Sequence, residues 1–228
     1  MDSIVSTAKT AFQSERLAYI KIDETNEDIK SFLPDVEDDP IVQALSSPAM
    51  LKPKGKKDID WYAEQLAKSH LAVAICLRRD LTSSNGPSEE NEKTNSPTIE
   101  TSVQDKGTEL AKPTIIGTVC LSWGGIDPSM LHHRNASVGI TLGNAFQNKG
   151  YGREAINWII DWGFRHAGLH TISIVTYSYN DRAAHLYREL GFQLEGRRRQ
   201  VAWFDRKWYD ELWFGITESE WEAMRSLN

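Results

Sequence analysis

The stretch Gln147-Asn148-Lys149-Gly150-Tyr151-Gly152 ends a strand-like run and opens an amphipathic one, placing two glycines where the chain turns from strand into helix. Glycines at such a junction let successive main-chain N–H groups point outward, and the first helical turn adds unpaired donors of its own. The chemistry this offers is the grip of an anion, above all a phosphate or diphosphate. A P-loop would need GxxxxGK followed by Ser or Thr, and no such run occurs. A dinucleotide fingerprint would need GxGxxG, but Ala155 stands at the third glycine. It would also need an acidic residue closing the next strand, where Tyr177, Ser178 and Tyr179 stand instead. The pattern QxxGxG fits residues 147–152 throughout.

A second cluster lies beyond the next strand, in YNDRAAHLYRELGF, residues 179–192. Asn180 is placed to cap a helix, small residues follow it, and Tyr187 comes one turn later. Together the two clusters resemble the GNAT acetyltransferase superfamily. The resemblance runs from Ser14 to Ile216 apart from residues 80–113. The segments ERL, DPIVQALSS, LEGRRR and WYDELWFGI are similar to the branch containing ribosomal-protein N-terminal and spermidine acetyltransferases.

The resemblance implies acetyl-CoA as co-substrate, no metal, and direct transfer of the acetyl group to a primary amine in a ternary complex. It implies that Gln147, Asn148, Lys149, Gly150, Tyr151, Gly152 and Arg153 hold the pyrophosphate, with Lys149 adding charge. The strand SVGITLG would splay from the next strand, so that Ile140, Thr141 and Leu142 pair with the pantetheine arm. A backbone N–H among them would face the thioester oxygen. Asn180 would touch the same arm. Tyr187 is the candidate proton donor to the departing sulfur, because a phenol is protonated at neutral pH. Its spacing from Ala183 and Leu190 equally suits a core aromatic. Relatives carry a Glu near the start of the splayed strand; Ser137 stands here, so the general base stays open among His132, His133, Asp127, Glu211 and relayed water. Trp123, Trp203 and Trp208 are candidates for lining an acceptor site or for packing.

These residues need a scaffold, and the periodicities supply one. Strands are expected at 15–22 (apolar at 17, 20 and 22), 71–79, 114–123, 135–143, 170–180 and, around a turn, within 198–216. Helices are expected after Thr25 or Asn26, through DPIVQALSS, over 56–70 with Ile59, Tyr62, Ala63 and Leu66 as a stripe, from Gly152 to about Ala167 with Gly168 as C-cap, between Asn180 and Gly191, and after Thr217. Trp158, Ile159 and Trp162 belong to helix packing. The result is an α/β fold: a single GNAT-like domain over 14–228 behind a 1–13 extension, with a mixed central sheet flanked by helices and a splayed strand pair for acyl-CoA. Residues 80–113 carry seven acids and three lysines without an aromatic, and are expected to form a disordered acidic insertion.

Composition bounds the partners. The chain has 228 residues, 40% hydrophobic and 25% charged, with net charge −6, which disfavours nucleic acid or an anionic membrane as partner. Cys76 and Cys120 lie in apolar runs and are expected as buried free thiols. No signal peptide and no apolar run of roughly 20 residues is present, so the cytoplasm is the expected location, with the nucleus left open. The expected acceptor is a small amine. Protein N-terminal or lysine acetylation, and a non-catalytic acyl-CoA sensor, are the alternatives. The expected state is monomer or homodimer.

Overall fold

The computed structural model describes residues 5, 8–22, 26–47, 49–78 and 113–227. Seven strands form one sheet: β1 Leu17–Lys21, β2 Leu71–Leu77, β3 Ile115–Leu121, β4 Asn135–Leu142, β5 Thr171–Tyr177, β6 Gln193–Phe204 and β7 Lys207–Thr217. Their order is β1-β2-β3-β4-β5-β7-β6. The β4–β5 pair is parallel and every other pair antiparallel. The helices are α1 Glu27–Glu37, α2 Pro40–Ser46, α3 Lys56–Lys68, α4 Tyr151–Arg165, α5 Asp181–Glu189 and α6 Glu218–Arg225.

Side-chain alternation along the strands feeds two apolar layers. On one face, Ile156, Ile159 and Ile160 of α4 and Tyr187 of α5 pack with Ile116, Ile172, Ile174 and Phe214 of the sheet. On the other, Ile29 and Leu33 of α1 and Leu66 of α3 cover Ala72, Ala74, Cys76 and Cys120. Both cysteines are free and buried, and burial pushes the Cys120 thiol up to about 11, which keeps it inert as a nucleophile. Strict alternation corrects the reading of the first strand: Leu17 and Tyr19 are buried, whereas Ile20 is exposed.

The caps follow side-chain chemistry. Asn26 Oδ1 accepts from the Asp28 and Ile29 amides at the start of α1, and Thr217 forms a capping box with Glu220. Thr25, the alternative cap, lies outside the described residues, as does the 80–113 segment apart from Pro113. The helix expected from Gly152 starts one residue earlier and ends at Arg165; Gly168 follows at φ +61° and turns the chain back into β5. Near the N-terminus, Ala11 O accepts from Trp158 Nε1 at 2.9 Å and Phe12 O from the Tyr19 amide, so this part of the extension is fastened to the domain. No helix among the described residues is long and apolar enough to cross a membrane.

Candidate active site

The junction between β4 and α4 is built to leave donors free. Asn148 and Gly150 both adopt left-handed backbone, at φ +60° and +82°. The first helical bond runs from the Glu154 amide to Gly150 O, and no side chain caps the helix. The amides of Tyr151, Gly152 and Arg153 therefore precede the ladder, at the positive end of the α4 dipole.

A clamp from the segment just before β1 holds this turn in place. Glu154 Oε1 accepts from Ser14 Oγ and from the Arg16 amide, each at 2.6 Å, and Oε2 accepts from Arg16 Nε at 2.9 Å. Burial alone would raise the Glu154 carboxyl, but these hydrogen bonds and the Arg16 charge hold it below the usual carboxylate range. Arg16 also donates from Nη1 to Lys149 O at 2.9 Å and lies over the Tyr151 ring. From the other side, Arg182 of α5 donates to Asn148 Oδ1 at 2.7 Å and to Gln147 Oε1 at 2.8 Å. Gln147 Nε2 donates in turn to Leu142 O at 3.1 Å.

Beside this turn the sheet opens. β4 and β5 pair only through Asn135–Val138 and Thr171–Ile174, so Gly139–Leu142 and Val175–Tyr177 diverge with unpaired main-chain groups facing the gap. α2 is strapped across it: Tyr179 Oη donates to Ala44 O at 2.7 Å, and Asn180 Nδ2 donates to Leu45 O at 3.3 Å. Asn180 Oδ1 meanwhile caps α5 through the Ala183 amide.

A cavity of about 330 Å³ runs from the turn to the gap. The structure brings Ile140, Leu142, Gln147, Asn148, Gly150 and Gly152 onto its wall, together with Arg153, Asn180 and Tyr187. Three of the expected residues are turned elsewhere. Thr141 projects to the opposite face, 3.4 Å from Tyr62 Oη, so only its backbone can serve the gap. Lys149 sits over the Phe146 ring, and Tyr151 lies under Arg16. The positive side chains on the wall are instead Arg153, paired with Glu189, and Arg182. Arg16, Glu154 and Arg182 were not singled out from the sequence; the signals were a carboxylate in the first helical turn and an arginine after the asparagine cap.

Tyr187 packs against Phe192 and Phe214, and burial pushes its phenol up to about 12. Its hydroxyl makes no hydrogen bond among the described residues, yet no buried side-chain oxygen is left unsatisfied, so it opens onto the cavity. The candidate bases are dispersed. His132 and His133 stack on each other in an exposed 3₁₀ turn. Glu211 accepts from Arg198 and from Trp213 Nε1, each at 2.8 Å. Ser137, Asp127 and Trp123 line a second cavity, on the other face of the sheet. Trp203 and Trp208 contact each other on the exposed β6–β7 hairpin and line neither cavity. Among the described residues no group of three His, Cys, Asp or Glu could hold a metal ion.

A family model described as an acetyltransferase (GNAT) domain matches residues 25–193. The chain is 34% identical over 64 residues to the spermidine N(1)-acetyltransferase of Escherichia coli (strain K12), covering 28% of this chain and 34% of that protein. It is 29% identical over 88 residues to the [ribosomal protein uS5]-alanine N-acetyltransferase of the same strain, covering 39% and 45%. The chain spans about half the length of the curated relatives it matches. It shares its fold with the spermidine N-acetyltransferase from Vibrio cholerae in complex with CoA and spermine. There the TM-score is 0.66 and the identity 18%, over 91% of this chain and 99% of that one.

Proposed function

The chain belongs to the acetyltransferase (GNAT) family, and from that premise we propose that it moves an acetyl group from acetyl-CoA to a primary amine. One observation carries the reading: the uncapped α4 turn, the unpaired edge of β4 and the Tyr187 hydroxyl all face a single cavity. The amides of 151–153, with Arg153 and Arg182, suit a diphosphate. The unpaired β4 backbone suits the amides of a pantetheine arm, which would lie there as an added strand. Asn180 stands where β5 meets α5, within reach of the same arm.

The chemistry follows from what each group can do. The amine must lose its ammonium proton before its lone pair attacks the thioester carbon. A backbone N–H of 140–142 stabilises the oxyanion that forms, a contribution of about 3 kcal/mol where such donors matter. The attacking nitrogen gives up its second proton to water, the oxyanion collapses, the C–S bond breaks, and the thiolate leaves. A phenol held near 12 donates a hydrogen bond to that sulfur and keeps its own proton; water protonates the released thiolate, giving amide and free coenzyme A. The acceptor we favour is a small amine, handled by a monomer or homodimer in the cytoplasm. A protein N-terminus, as in the uS5 enzyme, is the alternative acceptor. A non-catalytic acyl-CoA binder is a second reading, favoured by Ser137 in place of a carboxylate.

A thiol-release assay over an amine panel, with product mass measured, separates these. Acetylated small amines are expected. Coenzyme A binding without release across the whole panel, peptides included, would favour the binder.

A further inference from the structure

The pairing of β7 with β5 ends at Glu211, opposite Tyr177, and one further bond joins the Ser178 amide to Asp210 O. Beyond that point the remaining residues of β6 and β7 pair only with each other, as a two-stranded ribbon that rises past the end of the sheet. Its turn has two residues: Asp205 and Arg206 are both left-handed, at φ +45° and +61°, and Phe204 pairs with Lys207 beneath them. A lone ribbon of two strands is marginal in water, so each of its faces calls for a partner. The inner face has one. Phe204 stacks on Tyr179 with ring centroids 5.3 Å apart, and Tyr209 meets the same ring edge-on at 5.0 Å. Side chains alternate across a strand, so Trp203 and its cross-strand partner Trp208 take the outer face. The two indoles touch, 5.0 Å between centroids, yet stay 58% and 56% exposed, with Val201 exposed two residues along β6. Large apolar rings grouped on an outer face mark a contact surface.

Charge says what the contact is with. At the base of the ribbon Arg197 pairs with Asp210 and Arg198 with Glu211. Further out stand Arg199, Arg206 and Lys207, which form no ion pair among the described residues, against the single acid Asp205. The net charge of −6 is a sum over the whole chain and does not describe this tip. Indoles with cations around them are complementary to the boundary of an anionic bilayer, where the rings sit at headgroup level and the cations meet lipid phosphates. Other occupants fit less well. In a second copy paired about a two-fold axis at the indoles, Arg206 and Lys207 would meet their own equivalents. A peptide added to the β6 edge would meet a ladder that slips between Arg198 and Ala202, with Gln200 left-handed at φ +53°. The indoles line neither cavity, so they offer no seat to a small molecule. We propose that the tip of the β6–β7 ribbon docks the chain on an anionic lipid surface, with Trp203 and Trp208 at headgroup level and Arg199, Arg206 and Lys207 on the phosphates. Contact through one hairpin is reversible and weakened by salt. The proposal does not depend on the transferase reading.

The test is co-sedimentation of the full chain with vesicles of phosphatidylglycerol and phosphatidylcholine in equal parts, against vesicles of phosphatidylcholine alone. Binding to the anionic vesicles is expected to be at least tenfold tighter at low salt, and to be lost at about 1 M salt, where the screening length falls to roughly 3 Å. Brominated acyl chains are expected to quench the tryptophan emission of the bound chain, and to quench it far less in a Trp203→Phe, Trp208→Phe double variant. Reversing two charges, Arg206→Glu with Lys207→Glu, is expected to weaken binding at least tenfold, with circular dichroism and Tm unchanged. No binding to anionic vesicles at low salt, equal binding to both kinds, or full binding by the charge-reversed variant would overturn the proposal. So would a dimer, seen by analytical ultracentrifugation, that Trp203→Ser with Trp208→Ser takes apart, since the indoles would then face a second copy. None of these results bears on coenzyme A binding, which calorimetry reports separately.

Discussion

Tyr187 joins the core and the cavity in one side chain. Its ring is fixed by Phe192 and Phe214, so its hydroxyl is presented at one place without further rotamer cost. Burial raises the phenol, so its protonated form persists well past pH 10. Tyr187→Phe is expected to lower kcat by about 10- to 100-fold, the loss of one hydrogen bond of about 1.5–3 kcal/mol to a charged sulfur, while coenzyme A affinity stays the same. An unchanged kcat in a chemistry-limited assay would remove the residue from the mechanism. Because the neutral phenol is the active form, the rate is expected to rise with pH as the acceptor amine deprotonates, and not to fall below about pH 10; an alkaline fall centred near 9 that vanishes in the Phe variant would contradict this. Gly150 is a different case, since its role is the backbone itself. Alanine at φ +82° costs about 1–2 kcal/mol, and its Cβ would meet Arg16 Nη2 at 3.1 Å, the movable end of a long side chain. Gly150→Ala is therefore expected to fold with a lower Tm and to bind coenzyme A more weakly, both read in one thermal-shift titration.

At the scale of elements, the clamp between the segment leading into β1 and α4 decides where the free amides point. Glu154 on the first turn of α4 complements the helix dipole and takes three hydrogen bonds from Ser14 and Arg16. Its folded pKa lies below the ordinary value of 4.5, so its contribution to stability is present above that value and is lost as pH falls through the depressed one. Glu154→Gln is expected to cost about 2 kcal/mol at pH 7 and clearly less at pH 3, by denaturant titration at both; an equal loss at both pH values would contradict the clamp. The glycines and the QxxGxG spacing were legible in the sequence because a strand-to-helix turn is a local event. Arg16 was not, because it acts on a residue 138 positions away. The facing of residues in the turn was hidden too: with left-handed backbone at Asn148 and Gly150, Lys149 lies over Phe146 and Tyr151 under Arg16, while Arg153 and Arg182 stand on the cavity wall.

Across the whole molecule, the element order was legible from period-two runs and helix stripes, and the parting of β4 from β5 from the resemblance that the two motifs carried. What crosses the sheet was not. Ser137 shows only that a carboxylate is missing from β4. That Glu195 faces the same cavity depends on a β6 bulge and on Gly215 two strands away, and neither leaves a mark in local periodicity. The strap of α2 over the gap likewise depends on Tyr179 and Asn180 meeting Ala44 and Leu45. Everything proposed for the chemistry requires that the α4 turn hold a diphosphate and aim a thioester along β4 toward Tyr187. Isothermal titration of coenzyme A into the folded chain tests this most directly. One site per chain is expected, with a dissociation constant in the micromolar range, a binding free energy of about −8 kcal/mol, and weaker binding in Gly150→Ala. A flat titration with protein whose fold is verified by circular dichroism, or full affinity retained in Gly150→Ala, would contradict it.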